Sequence, residues 1–163
     1  MTKRSTPSSP QSRGSDPRKP GGDWPIPTPG DVLCYAYLWA REAAQGQEEG
    51  LKDRPVVVVL AATDTGAGIK LTVAPITHSA PDGAGGAVEV PLAVKRDLGL
   101  DRERSWIVVS EVNSFLWPGP DVRPLADGSP FYGAIPDWLF VRMREGIGGH
   151  AGRGRVRITK RTE

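Results

Sequence analysis

The chain has 163 residues, is 38% hydrophobic and carries a formal charge of +2, enough for one domain with a modest core plus tails. No run approaches the roughly 20 apolar residues of a membrane-spanning helix, and the basic N-terminus has no apolar stretch behind it, which argues against a secretory leader. Cys34 is the sole cysteine and there are two histidines, which excludes an intrachain disulfide, argues against a metal or other cofactor, and points to a reducing, cytoplasmic setting off the membrane.

The small net charge hides an asymmetry. Lys3, Arg4, Arg13, Arg18 and Lys19 face only Asp16 in residues 1–22, and Arg153, Arg155, Arg157, Lys160 and Arg161 face only Glu163 in residues 151–163. Each end is therefore about +4 and the middle about −6. Such ends suit contact with a polyanion through counterion release; the alternative is that they only aid solubility.

In chain order, the first 29 residues hold seven prolines and few apolar side chains beyond Trp24 and Ile26. Residues 1–27 are expected to form a disordered basic tail, because they cannot bury enough surface to offset their ordering entropy. After a Pro/Gly turn, residues 31–37 read as a first strand. Residues 38–50 mix helix formers with Gly46 and Gly50 and read as a partly helical loop. Residues 55–62 (PVVVVLAA) are the strongest strand, apolar on both faces and so central. Residues 70–76 form another, with Pro75 at its end. A short strand at 88–91, one or two helical turns at 92–98 closed by Gly99, and a strand at 105–112 extended past a bend by 114–118 follow. Pro136 suits the first position of a helix running to about 146, with Leu139, Phe140 and Met143 as its apolar stripe. Short strands with one terminal helix indicate a mainly β (α+β) fold, a small, strongly bent antiparallel sheet or barrel.

Four segments in order resemble the MazF/PemK-type toxins of bacterial toxin–antitoxin systems. Pro29, Gly30, Asp31, Val32 and Leu33 are similar to that family's opening P-x-G-D-hydrophobic pattern. Asp53, Arg54 and Pro55 with the following valines are similar to its R-P-hydrophobic segment. Val73 to Ser79 (VAPITHS) resemble its V-x-P-[IC]-T-[ST]-x. Ser110 to Phe115 (SEVNSF) stand where the family has D-Q-V-[RK]-[ST]-I. The resemblance covers roughly residues 28–148, leaving 149–163 as a second basic tail. It implies an SH3-like barrel that forms a homodimer and binds single-stranded RNA, mRNA above all, along the dimer interface. It also implies an acidic antitoxin protein that blocks that groove.

Metal-free RNA cleavage needs little from a protein. The ribose 2′-OH attacks the neighbouring phosphorus, and negative charge grows on the equatorial oxygens. A guanidinium beside those oxygens stabilises that charge in two-pronged fashion, and a hydroxyl adds a hydrogen bond. The resemblance assigns these roles to Arg54 and Thr77. The alternatives are an arginine paired with Asp53 and a turn threonine capping backbone. His78 can act as general base, but strand alternation would turn it away from the face of Thr77, leaving it as a solvent-facing loop residue. Ser79 would share the face of Thr77 and contact RNA. In the fourth segment Asn113 replaces the family's basic residue and Ser110 its Asp. Glu111 offers a carboxylate base only if a one-residue shift of face is tolerated, and Asn113 becomes an RNA-contact candidate. Trp39 can stack on an unpaired base; packing in a core or dimer contact is the alternative. Two functions follow: a metal-independent, sequence-selective endoribonuclease toxin, or a catalytically weakened barrel that binds RNA or a protein.

Overall fold

A computed structural model describes residues 23–161, apart from 51, 65, 67 and 80–84; most of the expected N-terminal tail lies outside the described residues. The elements run β1 (Asp31–Tyr35), α1 (Ala40–Ala44), β2 (Arg54–Asp64), β3 (Gly68–Thr77), β4 (Ala87–Val90), α2 (Leu92–Asp97), β5 (Ser105–Val108), β6 (Glu111–Leu116), β7 (Phe131–Ala134), α3 (Asp137–Gly152) and β8 (Arg157–Lys160). The fold is mainly β, a curled antiparallel half-barrel with a C-terminal helix, as the sequence predicts. No helix among the described residues is long and apolar enough to cross a membrane.

β2 and β3 form the long central hairpin, in register from Val56↔Pro75 to Asp64↔Gly68 with an irregularity between Val58 and Leu60. The far edge of β3 is shared. Its first half pairs with β6, while Ile76 and Thr77 pair with Ile107 and Trp106 of β5. One strand feeding two partners is what curls the sheet. It also explains why the predicted strand at 105–112 is broken: β5 follows β4 and the end of β3, and β6 starts anew at Glu111.

The valine run of β2 lacks alternation because both faces of the sheet are covered. Val57 packs with Val32, Ala74, Ile76, Leu139 and Met143 beneath α3. Val56 and Val58 turn the other way, to Leu33, Tyr35, Leu71, Val73 and Phe115. Successive strand residues point to opposite faces, and each fully buried Val or Leu contributes about 1.5–3 kcal/mol.

α3 runs past its expected end to Gly152, with Pro136 as its N-cap. Gly146, read from sequence as a stop, is a point of close approach. A Cβ there would meet the Val109 side chain at 3.1–3.3 Å, so its absence lets the helix settle on the corner between β5 and β6. Gly50 does the same for the loop after α1, where a Cβ would overlap the carbonyl oxygens of Ala36 and Tyr37.

The segment expected as a basic tail from 149 is instead folded up to residue 161. It completes α3 and adds β8 in parallel to β6, with Glu111↔Arg157 and Ser114↔Lys160 as end pairs. The reason lies in Arg161, which is buried. Its Nη2 sits 2.9 Å from Asp121 Oδ2, and its Nη1 donates to the Ala36 carbonyl at 2.9 Å and to Asn113 Oδ1 at 3.2 Å. A carboxylate and two carbonyl-type acceptors offset the cost of burying that charge.

Candidate active site

Arg54 opens β2, with its Cα opposite Tyr35 of β1. Pro55 and the buried valines behind it hold its backbone rigidly. The register of the hairpin ends at Val56↔Pro75, and Arg54 and Thr77 each lie two residues past that pair on their own strands. Both residues line one cleft of about 320 Å³. The other residues that give this cleft its chemistry are Lys52, His78, Asp101 and Tyr132.

The guanidinium of Arg54 lies 5.1 Å from the centre of the Trp39 ring. Arg41 approaches the same ring at 5.4 Å. Asp53, the neighbour offered as a partner by sequence, is turned to Arg123 at 3.5 Å. Among the described residues no carboxylate lies within ion-pair distance of Arg54, and its Nε is buried without a hydrogen bond. Burial pulls its pKa below the ordinary arginine value, with Glu42 opposing that shift and Arg41 reinforcing it; a guanidinium nevertheless stays charged at neutral pH. The arginine is thus a half-buried cation held over an aromatic ring, with its Nε short of an acceptor.

Thr77 ends β3 and is half-buried. Its Oγ1 accepts a hydrogen bond from the Ser79 amide at 3.2 Å, the local turn foreseen as the bland alternative. The hydroxyl proton remains free to donate, so the turn orients Thr77 without consuming it. Ser79 itself is exposed beyond the strand.

His78 does not obey strand alternation, because β3 has already ended at Thr77. Its ring enters the same cleft, with Nε2 at 2.8 Å from Asp101 Oδ2 and Nδ1 at 3.8 Å from Glu103 Oε1. Beneath Asp101 lies Lys95, of which 1% is exposed. Its ammonium donates to Asp101 Oδ1 at 2.6 Å, to Ser105 Oγ at 2.7 Å and to the Glu103 carbonyl. Lys95 and Asp101 carry no signal in the sequence. A lysine on a short helix and a run of alternating charges at 101–104 read as solvated surface.

The fourth segment stands apart from the cleft. Asn113 is fully buried and cannot meet RNA as expected. Its amide accepts from Leu38 N at 3.0 Å and donates to Leu38 O at 2.8 Å, clamping the strand exit to β6. Glu111 accepts from the Tyr37 hydroxyl at 3.1 Å and from Ala40 N at 2.9 Å. Burial and that carboxylate together push the Tyr37 phenol well above its ordinary pKa, so it stays neutral. Glu111 lines a separate hollow with His150, Arg155 and Arg157.

His78, Asp101 and Glu103 each offer one ligand atom, all within 4.8 Å of one another and all exposed. Such a trio can attract a divalent cation, but Asp101 is already held by Lys95.

No protein-family model matches the chain, and no curated protein matches it at significant similarity.

Proposed function

We propose that this protein is a cytoplasmic, metal-independent endoribonuclease that cleaves single-stranded RNA, a growth-inhibiting toxin of the MazF/PemK type acting as a homodimer and restrained by an acidic antitoxin. The observation that carries the reading is the meeting of Arg54 and Thr77 in one cleft at one end of the β2–β3 hairpin. Arg54 stabilises the charge that grows on the phosphate oxygens, and Thr77 donates a hydrogen bond to the same group. Arg54 is half-buried, so the phosphate meets the accessible part of the guanidinium while its Nε stays buried. Trp39, gripped by Arg41 and Arg54, offers a ring on which an unpaired base stacks, and Ser79 contributes a further RNA contact. The 2′-oxygen forms its bond to phosphorus as the 5′-oxygen leaves, giving a cyclic phosphate and a 5′-hydroxyl.

One observation favours a second reading. Asn113 is buried in bonds to Leu38 and Glu111 lines a separate hollow, so the fourth segment supplies no base to the cleft. A barrel of this kind could bind RNA or a protein without cutting it. Incubating the purified protein with mixed single-stranded RNA in EDTA separates the two. Discrete fragments ending in a cyclic phosphate, absent with Arg54→Ala, support the nuclease; retention of intact RNA supports the binding module.

A further inference from the structure

We infer that His78 is the general base of this cleft and that Asp101, anchored from below by Lys95, is the residue that positions it. The inference rests on the nuclease reading above and supplies the base that the fourth segment lacks.

A histidine beside an aspartate on a protein surface is ordinary, and such exposed pairs hold little energy. This pair differs in how the aspartate is fixed. A buried ammonium must be paired, and the three protons of Lys95 go to Asp101, Ser105 and the Glu103 carbonyl. The Glu103 amide also donates to Asp101 Oδ1, at 3.1 Å. One carboxylate oxygen is thereby fully engaged from within the protein, which leaves Oδ2 aimed at His78 Nε2. The hydrogen bond from Lys95 is the first reason that Asp101 titrates below the ordinary carboxylate range.

An ionised carboxylate only accepts hydrogen bonds, so Nε2 of His78 carries the proton. Nδ1 then bears the lone pair, in the same cleft as Arg54 and Thr77. Asp101 and Glu103, from the loop after α2, lie beside the ring, and the other titratable groups lining the cleft are Lys95 of α2, Lys52 and Asp53 just before β2, Arg54 at its start and Tyr132 of β7. Once Nδ1 takes the 2′-hydroxyl proton, the imidazolium lies between two carboxylates that stabilise it. The 2′-oxygen bonds to phosphorus, the P–O5′ bond breaks, and the 5′-oxygen takes a proton from solvent. No oxidant, reductant or metal enters the balance.

The test uses the full-length protein in single-turnover RNA cleavage with EDTA present. His78→Ala is expected to lower the maximal rate by about 10²–10³-fold with little change in KM, and added imidazole is expected to restore part of it. Asp101→Asn is expected to lose about 10–100-fold, with Asp101→Glu recovering some of the loss. Long-range proton–nitrogen spectra of the wild-type protein at alkaline pH read the tautomer directly and should show His78 protonated at Nε2. If Asp101→Asn fails to fold, His78→Ala decides the matter, because it leaves the Lys95–Asp101 pair intact. Wild-type rates in His78→Ala, a ring protonated at Nδ1, or loss of cleavage in EDTA each overturn the inference. A wild-type protein that cuts no RNA under any condition overturns the nuclease reading instead.

Discussion

Arg54 and Thr77 line one cleft at the open end of the β2–β3 hairpin, each two residues past the Val56–Pro75 pair on its own strand. Val56, Val57, Val58, Val73 and Ala74 behind them are fully buried, so the cation and the hydroxyl are mounted on a core that repacks only at high cost. A site built on rigid strands keeps its geometry while the surrounding loops vary.

Arg54 is expected to be dispensable for stability and essential for cleavage. Its Nε is buried without an acceptor and no described carboxylate pairs with it, a cost of about 1–3 kcal/mol for an unmade bond. The contact with Trp39 returns about 0.5–1 kcal/mol. Arg54→Met should therefore raise the melting temperature by roughly 2–4 °C while abolishing cleavage. Arg54→Lys should keep the charge but lose the two-pronged geometry, reducing the rate by about 10-fold or more. Calorimetry beside a cleavage assay checks both; a clear fall in melting temperature for Arg54→Met would show that the arginine serves the fold.

Trp39 should act on binding more than on chemistry. Its ring packs edge-on against Tyr37, with centroids 5.0 Å apart, and is flanked by two guanidiniums. A stacked base is worth about 1–3 kcal/mol. Trp39→Ala is expected to raise KM about tenfold or more with a smaller effect on the maximal rate, and Trp39→Phe to recover most of the loss. An equal fall in rate at saturating RNA would instead mean that the ring's work is to hold Arg54.

How far these features can be read from sequence depends on where they sit. The β2 strand is legible because a run of apolar residues longer than alternation allows demands burial on both faces. Arg54 and Thr77 stand out through the resemblance, not through any chemistry visible in their neighbours. His78 is an exposed loop residue and yet lines the cleft beside Thr77, because alternation is a rule for strands and β3 stops one residue earlier. Asn113 is misread because a buried amide looks the same in sequence as an exposed one; only the Leu38 backbone reveals its purpose. β8 escapes notice since Arg157, Ile158, Thr159 and Lys160 lack a strand-like apolar face, and an edge position paired along one side does not require one.

Acid should weaken the fold partly through Asp101. Its pKa is lower in the folded protein than the ordinary 3.8, chiefly because of Lys95. A depressed carboxylate pKa adds stability that is complete above the unfolded value and disappears as pH falls through the folded one. Denaturant titrations should thus show a loss of stability below about pH 4 that is smaller in Asp101→Asn. The variant should be less stable than wild type at pH 7 and converge with it toward pH 2. Parallel curves across that range would show that the Lys95–Asp101 bond has no energetic weight.

Asn113→Ala is expected to harm the fold and not RNA contact. It removes both bonds to Leu38 and one acceptor of Arg161, all buried, at about 2–4 kcal/mol. At a temperature where the variant is still folded, RNA affinity should match the wild type. A specific loss of affinity with unchanged stability would return Asn113 to the RNA surface.

The C-terminal strand gives the sharpest contrast between a tail and a structural element. Cationic tails are dispensable to a fold, and removing one alters only the salt dependence of polyanion binding. Arg161 is a different case. Its side chain is 3% exposed and joins Asp121, 12% exposed, at 2.9 Å, while its other nitrogen holds the Ala36 carbonyl and Asn113. Removing Arg161 takes the close partner from Asp121, which keeps only weaker contacts such as Arg123 at 4.0 Å, and breaking a buried pair costs up to about 3–5 kcal/mol. Arg161→Ala, in the full-length chain, is therefore expected to lower stability by that amount. Arg155→Ala and Arg157→Ala, both at exposed positions, should change it by less than about 0.5 kcal/mol. Those two substitutions should instead flatten the salt dependence of RNA binding, by about one unit of slope for each phosphate that goes unneutralised. Denaturant melts and filter binding at several salt concentrations separate the two effects; an Arg161→Ala protein as stable as the wild type would reduce β8 to an ornament of the sheet edge.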